Sequence, residues 1–117
     1  MSDNSLRCFT CSMELTLDLI GGKWKPILIY HIGNTGKLRY GELKRLIPQI
    51  SERVLSRELR ELESSNIISR QEFKEKVLRV EYSLTPDGKD VLPILNALTQ
   101  WGSNYNKNHN YASVECE

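Results

Sequence analysis

The sequence has no run of about 18 apolar residues, the length a membrane-spanning helix needs, and its first dozen residues lack the basic start and apolar stretch of a secretory signal. No membrane partner is expected, and the cytoplasm is the default compartment. Cysteine is scarce: Cys8, Cys11 and Cys116 are odd in number and too few for a secreted disulfide scaffold, so reduced thiols are expected. Repeats and Pro-rich or Gly/Ser-rich linkers are missing too. The 117 residues suffice for one modest core, which excludes a two-domain enzyme. We read a single domain over residues 1–117, its core about 11–102, with a polar tail from Ser103 that should fray.

Catalytic constellations are lacking as well. The chain has no phosphate-cradling glycine loop, no His-Glu metal motif and no Ser/His/Asp set whose members can be placed together. Cys8 and Cys11 have metal or redox spacing, but a structural zinc site needs four ligands, and Cys116, His31 and His109 are scattered. No βαβ context supports a thioredoxin-like reading. No enzyme, metal or cofactor is expected.

What is present is an uneven distribution of charge. The overall balance is 16 cations to 15 anions, yet Lys37 to Arg79 holds eleven cations against seven anions, a surplus of four, and the remainder carries a deficit of three. A polyanion would be drawn to one part of the molecule.

Hydrophobic spacing supplies the elements. Leu15, Leu17, Leu19 and Ile20 read as a short helix ended by Gly21-Gly22, with Glu14 at capping-box distance from Cys11. Trp24, Ile27, Leu28 and Ile32 mark the face of a second helix, in which Pro26 falls in the tolerant first turn. Leu38-Arg39-Tyr40 is a stub of strand. Leu43, Leu46 and Ile47 share a face on a helix over Gly41–Ile47 that Pro48 ends, and Ser51 can cap a helix over Ser51–Ser65 with a stripe of Leu55, Leu59 and Leu62. Two helices in so tight a connection form a helix-turn-helix.

Opposite that leucine stripe lie Arg53, Arg57 and Arg60, flanked by Ser56 and Ser64, a set suited to phosphates and base edges. A merely solvated face, with glutamates pairing at i,i+4, is the competing reading. The runs Ile67–Phe73 and Val77–Leu84 form a two-stranded hairpin around Lys74-Glu75-Lys76. A basic hairpin after such a helix is a wing. The last helix opens at Thr85-Pro86 and repeats Val91, Ile94, Leu95, Leu98, Trp101 and Tyr105, with Pro93 expected to kink it. A small domain has little core to cover so many large side chains, so a second chain is one cover and the domain's own body the other.

In fixed order the chain carries Cys11 and Glu14, Leu17-Asp18-Leu19-Ile20-Gly21-Gly22-Lys23-Trp24, Tyr40-Gly41-Glu42-Leu43, Ile50-Ser51, Val54-Leu55, Leu59-Arg60-Glu61-Leu62-Glu63 and Val80-Glu81-Tyr82-Ser83-Leu84-Thr85. Over about Cys11 to Gly102 it resembles the HxlR-type winged helix-turn-helix transcriptional regulators. The resemblance implies an α+β, mostly helical fold and a bacterial DNA-binding homodimer whose terminal helices form the interface. It also implies a cysteine at the position of Cys11 that senses oxidants or electrophiles, since helix N-termini stabilise thiolates. Packing of Cys11 as a small apolar residue is the alternative.

Together these readings assign double-stranded DNA and a second copy of the chain as partners, with an unidentified small-molecule or oxidant effector. DNA contacts are expected from Lys44, Arg45, Ser51, Arg53, Ser56, Arg57, Arg60, Lys74, Lys76 and Arg79, and dimer contacts from Leu15, Leu19, Val91, Ile94, Leu95, Leu98, Trp101 and Tyr105. Two-fold symmetry would set half-sites about 34 Å apart on a pseudo-palindromic operator. A winged-helix module that docks proteins without reading DNA sequence is the rival function.

Overall fold

Two glycines separate the first two helices of the computed structural model, which describes residues 6–115. Helix α1 (Ser12–Ile20) follows an extended Cys11 at its N-cap, and Gly22 then takes a φ of 87°, a conformation side-chain-bearing residues rarely adopt. The chain reverses there into α2 (Lys25–Thr35), with Pro26 in its first turn as expected. Leu28, Ile29 and Ile32 of α2 are fully buried and form the centre of the core.

Strand β1 (Lys37–Arg39) leads into α3 (Tyr40–Leu46), and Pro48 ends that helix region before α4 (Glu52–Ser64) begins. Leu55, Leu59 and Leu62 of α4 are buried, as their spacing predicts. Each such side chain contributes about 1.5–3 kcal/mol when fully removed from water, enough to fix which face of α4 looks outward. Strands β2 (Ile68–Phe73) and β3 (Arg79–Leu84) then pair antiparallel, with Ile68 opposite Leu84 and Phe73 opposite Arg79.

The wing differs from expectation in two respects. It is not a two-stranded ribbon: β1 pairs with the free edge of β3, Lys37 opposite Ser83 and Arg39 opposite Glu81, giving a three-stranded sheet of order β1-β3-β2. The stub survives because Leu38 buries its side chain in the core while its backbone pairs with β3. Val77 and Leu78 belong to the exposed tip and not to β3, since β2 stops at Phe73 and leaves them no partner.

Helix α5 (Pro86–His109) is stitched to the turn after α4. Thr85 caps it by accepting the Gly88 N–H at 3.1 Å and donates its own hydroxyl to the Asn66 carbonyl at 2.6 Å; its N–H bonds the Ile67 carbonyl at 3.1 Å. Asn66 itself sits at φ 62°. Gly88 is buried so tightly that a Cβ would collide with the Ile67 carbonyl oxygen.

Helix α5 differs from expectation in its packing. It runs through Pro93 and continues to His109, so the first residues of the polar tail, 103–109, are helical. Asn110, in a left-handed conformation, ends it, and the Asn106 side chain then bonds both backbone groups of Ala112, at 2.7 and 2.8 Å. Leu95, assigned to a dimer surface, is instead buried against α2, and Val91 and Leu19 also pack on the domain's own core. Leu15, Ile94, Leu98, Trp101 and Tyr105 remain exposed.

Candidate nucleic-acid interface

The N-terminus of α4 is held from two sides. Ser51 Oγ accepts the Val54 N–H at 3.1 Å, the N-cap the sequence predicts. Tyr40, at the start of α3, donates its hydroxyl to the Glu52 carbonyl at 3.1 Å and lies 3.2 Å from Ser56 Oγ. These bonds tie the two helices of the helix-turn-helix together. They also half-bury Ser56, which thus has its hydroxyl engaged within the protein.

Arg53, Arg57 and Arg60 are exposed on the face opposite the leucines. The glutamates that could have neutralised them are partly drawn elsewhere. Lys25, at the start of α2, reaches under α4 to Glu61 at 2.5 Å and to Glu58 at 3.4 Å. Burial opposes the ammonium form of Lys25, but the hydrogen bond to Glu61 and the attraction of both carboxylates outweigh it and raise its pKa. Glu61 is correspondingly lowered by its hydrogen bond from Lys25. Glu58 is a buried carboxylate within a polar-faced helix, and Lys25 with Arg57, whose Nε lies 3.5 Å away, compensates it. Among the described residues Arg53 and Arg60 have no ion-pair partner.

On the approach to α4, Lys44 spans α3 and the turn by donating to the Pro48 carbonyl at 3.1 Å, and Arg45 is exposed. At the other side the wing tip exposes Lys74 and Lys76. Arg79, expected among the wing contacts, is committed to bracing the hairpin: its guanidinium lies 4.1 Å over the Phe73 ring and within 3.6 Å of Glu75 and Glu81. An intervening cleft between α4 and the sheet is lined by Tyr40, Ser56, Arg60, Glu63, Arg70 and Tyr82. Arg70 was not among the expected site residues. Its hydrogen bond to Glu72, at 2.6 Å, raises its pKa and lowers that of Glu72. Period-two alternation could have placed Arg70 on the same strand face as Ile68, but nothing in the sequence shows that this face meets α4.

At the opposite end of the chain, Cys11 and Cys8 are exposed free thiols, and Cys116 lies outside the described residues. The capping box expected at Cys11 is displaced by one residue, because Glu14 Oε1 accepts the Thr10 N–H at 2.6 Å and Cys11 makes no side-chain cap. Among the described residues no three His, Cys, Asp or Glu side chains are grouped to hold a metal ion, and no helix is long and apolar enough to cross a membrane.

A short helix, a tight turn, a second helix with an arginine face, and a basic antiparallel hairpin define a winged helix-turn-helix, a fold of DNA-binding regulators. The chain matches the HxlR-like helix-turn-helix family over residues 19–110 and belongs to it. It is 50% identical over 97 residues to an HTH-type transcriptional regulator of Methanothermobacter thermautotrophicus, covering 83% of this chain and 73% of that protein. Identity to the HTH-type transcriptional regulator YkvN of Bacillus subtilis is 43% over 112 residues, 96% of this chain and 93% of the relative. Among solved structures, the redox regulator HypR in its oxidized form superposes with a TM-score of 0.77 at 45% identity, over 80% of this chain and 96% of that one.

Proposed function

We propose that the chain is a cytoplasmic, homodimeric transcriptional repressor that binds a pseudo-palindromic operator through α4 and the wing. The observation that carries this reading is the arginine face of α4. Three guanidiniums stand outward on one helix whose opposite side is fixed by buried leucines, and Lys25 takes up much of the charge of Glu58 and Glu61, leaving Arg53 and Arg60 without an ion-pair partner among the described residues. Arg53, Arg57 and Arg60 supply major-groove and phosphate contacts, Lys44, Arg45 and Ser51 seat the helix on the backbone, and Lys74 and Lys76 extend to the neighbouring strand. A dimer seated on an operator excludes other proteins from it, hence repression.

Dimerisation is supported by the exposed Leu15, Ile94, Leu98, Trp101 and Tyr105, since soluble monomers seldom display so many large apolar side chains on their terminal helices. Redox control through Cys11 is supported by the exposure of its thiol at the start of α1 and by the similarity to HypR, a redox regulator. Oxidation of such a thiol adds bulk and polarity at one end of a helix that belongs to the proposed interface.

The test is binding of the purified protein to its own upstream intergenic DNA and to a random duplex, across a salt series, before and after mild oxidation. Tight, salt-steep and sequence-selective binding is expected. Arg57→Ala should cost roughly 1–3 kcal/mol on the selected duplex, whereas Lys76→Ala should weaken both duplexes alike and reduce the salt slope by about one. Equal losses on both duplexes for both variants would refute this division of labour, and binding to neither duplex would refute the DNA reading. An oxidation response that persists in Cys11→Ser would exclude Cys11 as the sensor.

A further inference from the structure

Resting on the DNA-binding reading above, we propose that Arg7, in the arm before α1, is a further DNA contact that completes with Arg57 and Arg60 a pocket for a backbone phosphate of the bound duplex. The arm does not trail away from the domain. Arg7 grips Asp18 of α1 with two hydrogen bonds, 2.7 and 3.0 Å, across eleven residues, and lies 5.3 Å from the Phe9 ring. This folds the arm back along α1 toward the outer half of α4.

The result is a cleft of about 570 Å³ whose charged lining is Arg7, Asp18, Lys25, Arg57, Arg60 and Glu61, with the Ser64 hydroxyl beside them. Four cations face two carboxylates. Lys25 and Glu61 satisfy each other at 2.5 Å, and Arg57 is partly compensated by Glu58 behind it, so the remainder is Arg7 and Arg60 against Asp18. Arg60 has no ion-pair partner among the described residues, and Arg57 only shares the buried Glu58. A guanidinium has five N–H donors, and Asp18 occupies two of those on Arg7, whose side chain is 72% exposed. An exposed ion pair of this kind is a weak competitor, whereas guanidinium and phosphate form paired, charge-assisted hydrogen bonds. The ligand is the phosphodiester of the duplex that α4 occupies, since two of the three arginines belong to that helix.

The test uses the full chain with a selected and a random duplex over a salt series, comparing wild type with Arg7→Ala, Arg7→Lys and Asp18→Asn, with melting curves to show that each variant is folded. Arg7→Ala should weaken both duplexes by the same factor and reduce the magnitude of the salt slope by about 0.9, the signature of one lost phosphate contact. Arg7→Lys should retain the slope. Asp18→Asn removes the ion pair but leaves the arginine, so it should bind both duplexes at least as tightly as wild type. An unchanged slope in Arg7→Ala overturns the proposal while leaving the DNA reading intact. Weakening by Asp18→Asn equal to that by Arg7→Ala also overturns it, because Arg7 would then act only by pinning the arm. Wild type without salt-dependent binding to either duplex overturns the reading beneath it.

Discussion

Replacing Gly88 by alanine sets two effects of opposite sign against each other, and the geometry decides between them. Alanine is favoured over glycine within a helix by at most about 1 kcal/mol. At Gly88, however, the new Cβ collides with the Ile67 carbonyl oxygen and comes within 3.2 Å of Leu84 Cβ. The first obstacle is backbone and cannot rotate away. Overpacking of a tight site costs roughly 1–3 kcal/mol. Moving α5 aside would also stretch the bonds from Thr85 to Gly88 and Ile67, each worth about 0.5–1.5 kcal/mol. The net expectation is a loss of about 1–3 kcal/mol. Gly102, in the same helix, is the control: nothing lies within 4 Å of its Cβ position, so Gly102→Ala should gain about 1 kcal/mol in the unassociated chain. Urea unfolding followed by circular dichroism, at one low protein concentration, measures both as shifts of midpoint at constant slope. A Gly88→Ala protein as stable as wild type would refute the claim that α5 is locked against the turn after α4.

Further expectations can be checked on the same material. Ser51→Ala removes the N-cap of α4 and should cost about 1 kcal/mol in unfolding free energy, together with weaker binding to the selected duplex; no change in either would mean that the Tyr40 bonds alone hold that terminus. Burial lowers the His31 pKa from its ordinary 6.5, so the unfolded chain takes up a proton at a higher pH than the folded one. Stability is therefore full above about pH 6.5 and falls as pH drops through the lowered folded value, and His31→Gln should flatten that limb of a melting-temperature profile. An identical limb in the variant would assign the acid sensitivity to other groups.

The parts of this molecule that depend on local pattern were readable before the structure. Leu55, Leu59 and Leu62 fixed the orientation of α4, and with it the side on which Arg53, Arg57 and Arg60 emerge, because helical periodicity relates the two faces rigidly. Thr85 and Ser51 were legible as caps for the same reason. Contacts between residues distant in the chain were not. Leu95 lies on the same stripe as Ile94 and Leu98, yet α2 covers the first and leaves the others exposed, a difference set by where α2 crosses α5. The stub of strand at Leu38 was legible, but its pairing with β3 was not, because three residues carry too little alternation to indicate a partner. Nor could spacing show that Lys25 would pair with both Glu58 and Glu61, or that Arg7 would meet Asp18. For Arg79, too, the position on a basic hairpin was legible, but its contacts with Phe73, Glu75 and Glu81, which brace the hairpin, were not.

Helix α5 is 24 residues long, about 36 Å at 1.5 Å per residue, and its two ends answer to different demands. Its beginning is riveted to the body of the domain through Thr85, Gly88 and Leu95, whereas Leu98, Trp101 and Tyr105 extend outward. In the proposed dimer, the outer half acts as a ruler. An insertion of one residue beyond Leu95 would turn the outer face by about 100° and advance it by 1.5 Å without altering a single side chain of α4. In that proposed assembly, which bases are read and how far apart the two readings fall would be written in separate stretches of chain. A substitution in one of these stretches would then change one of the two properties and leave the other alone.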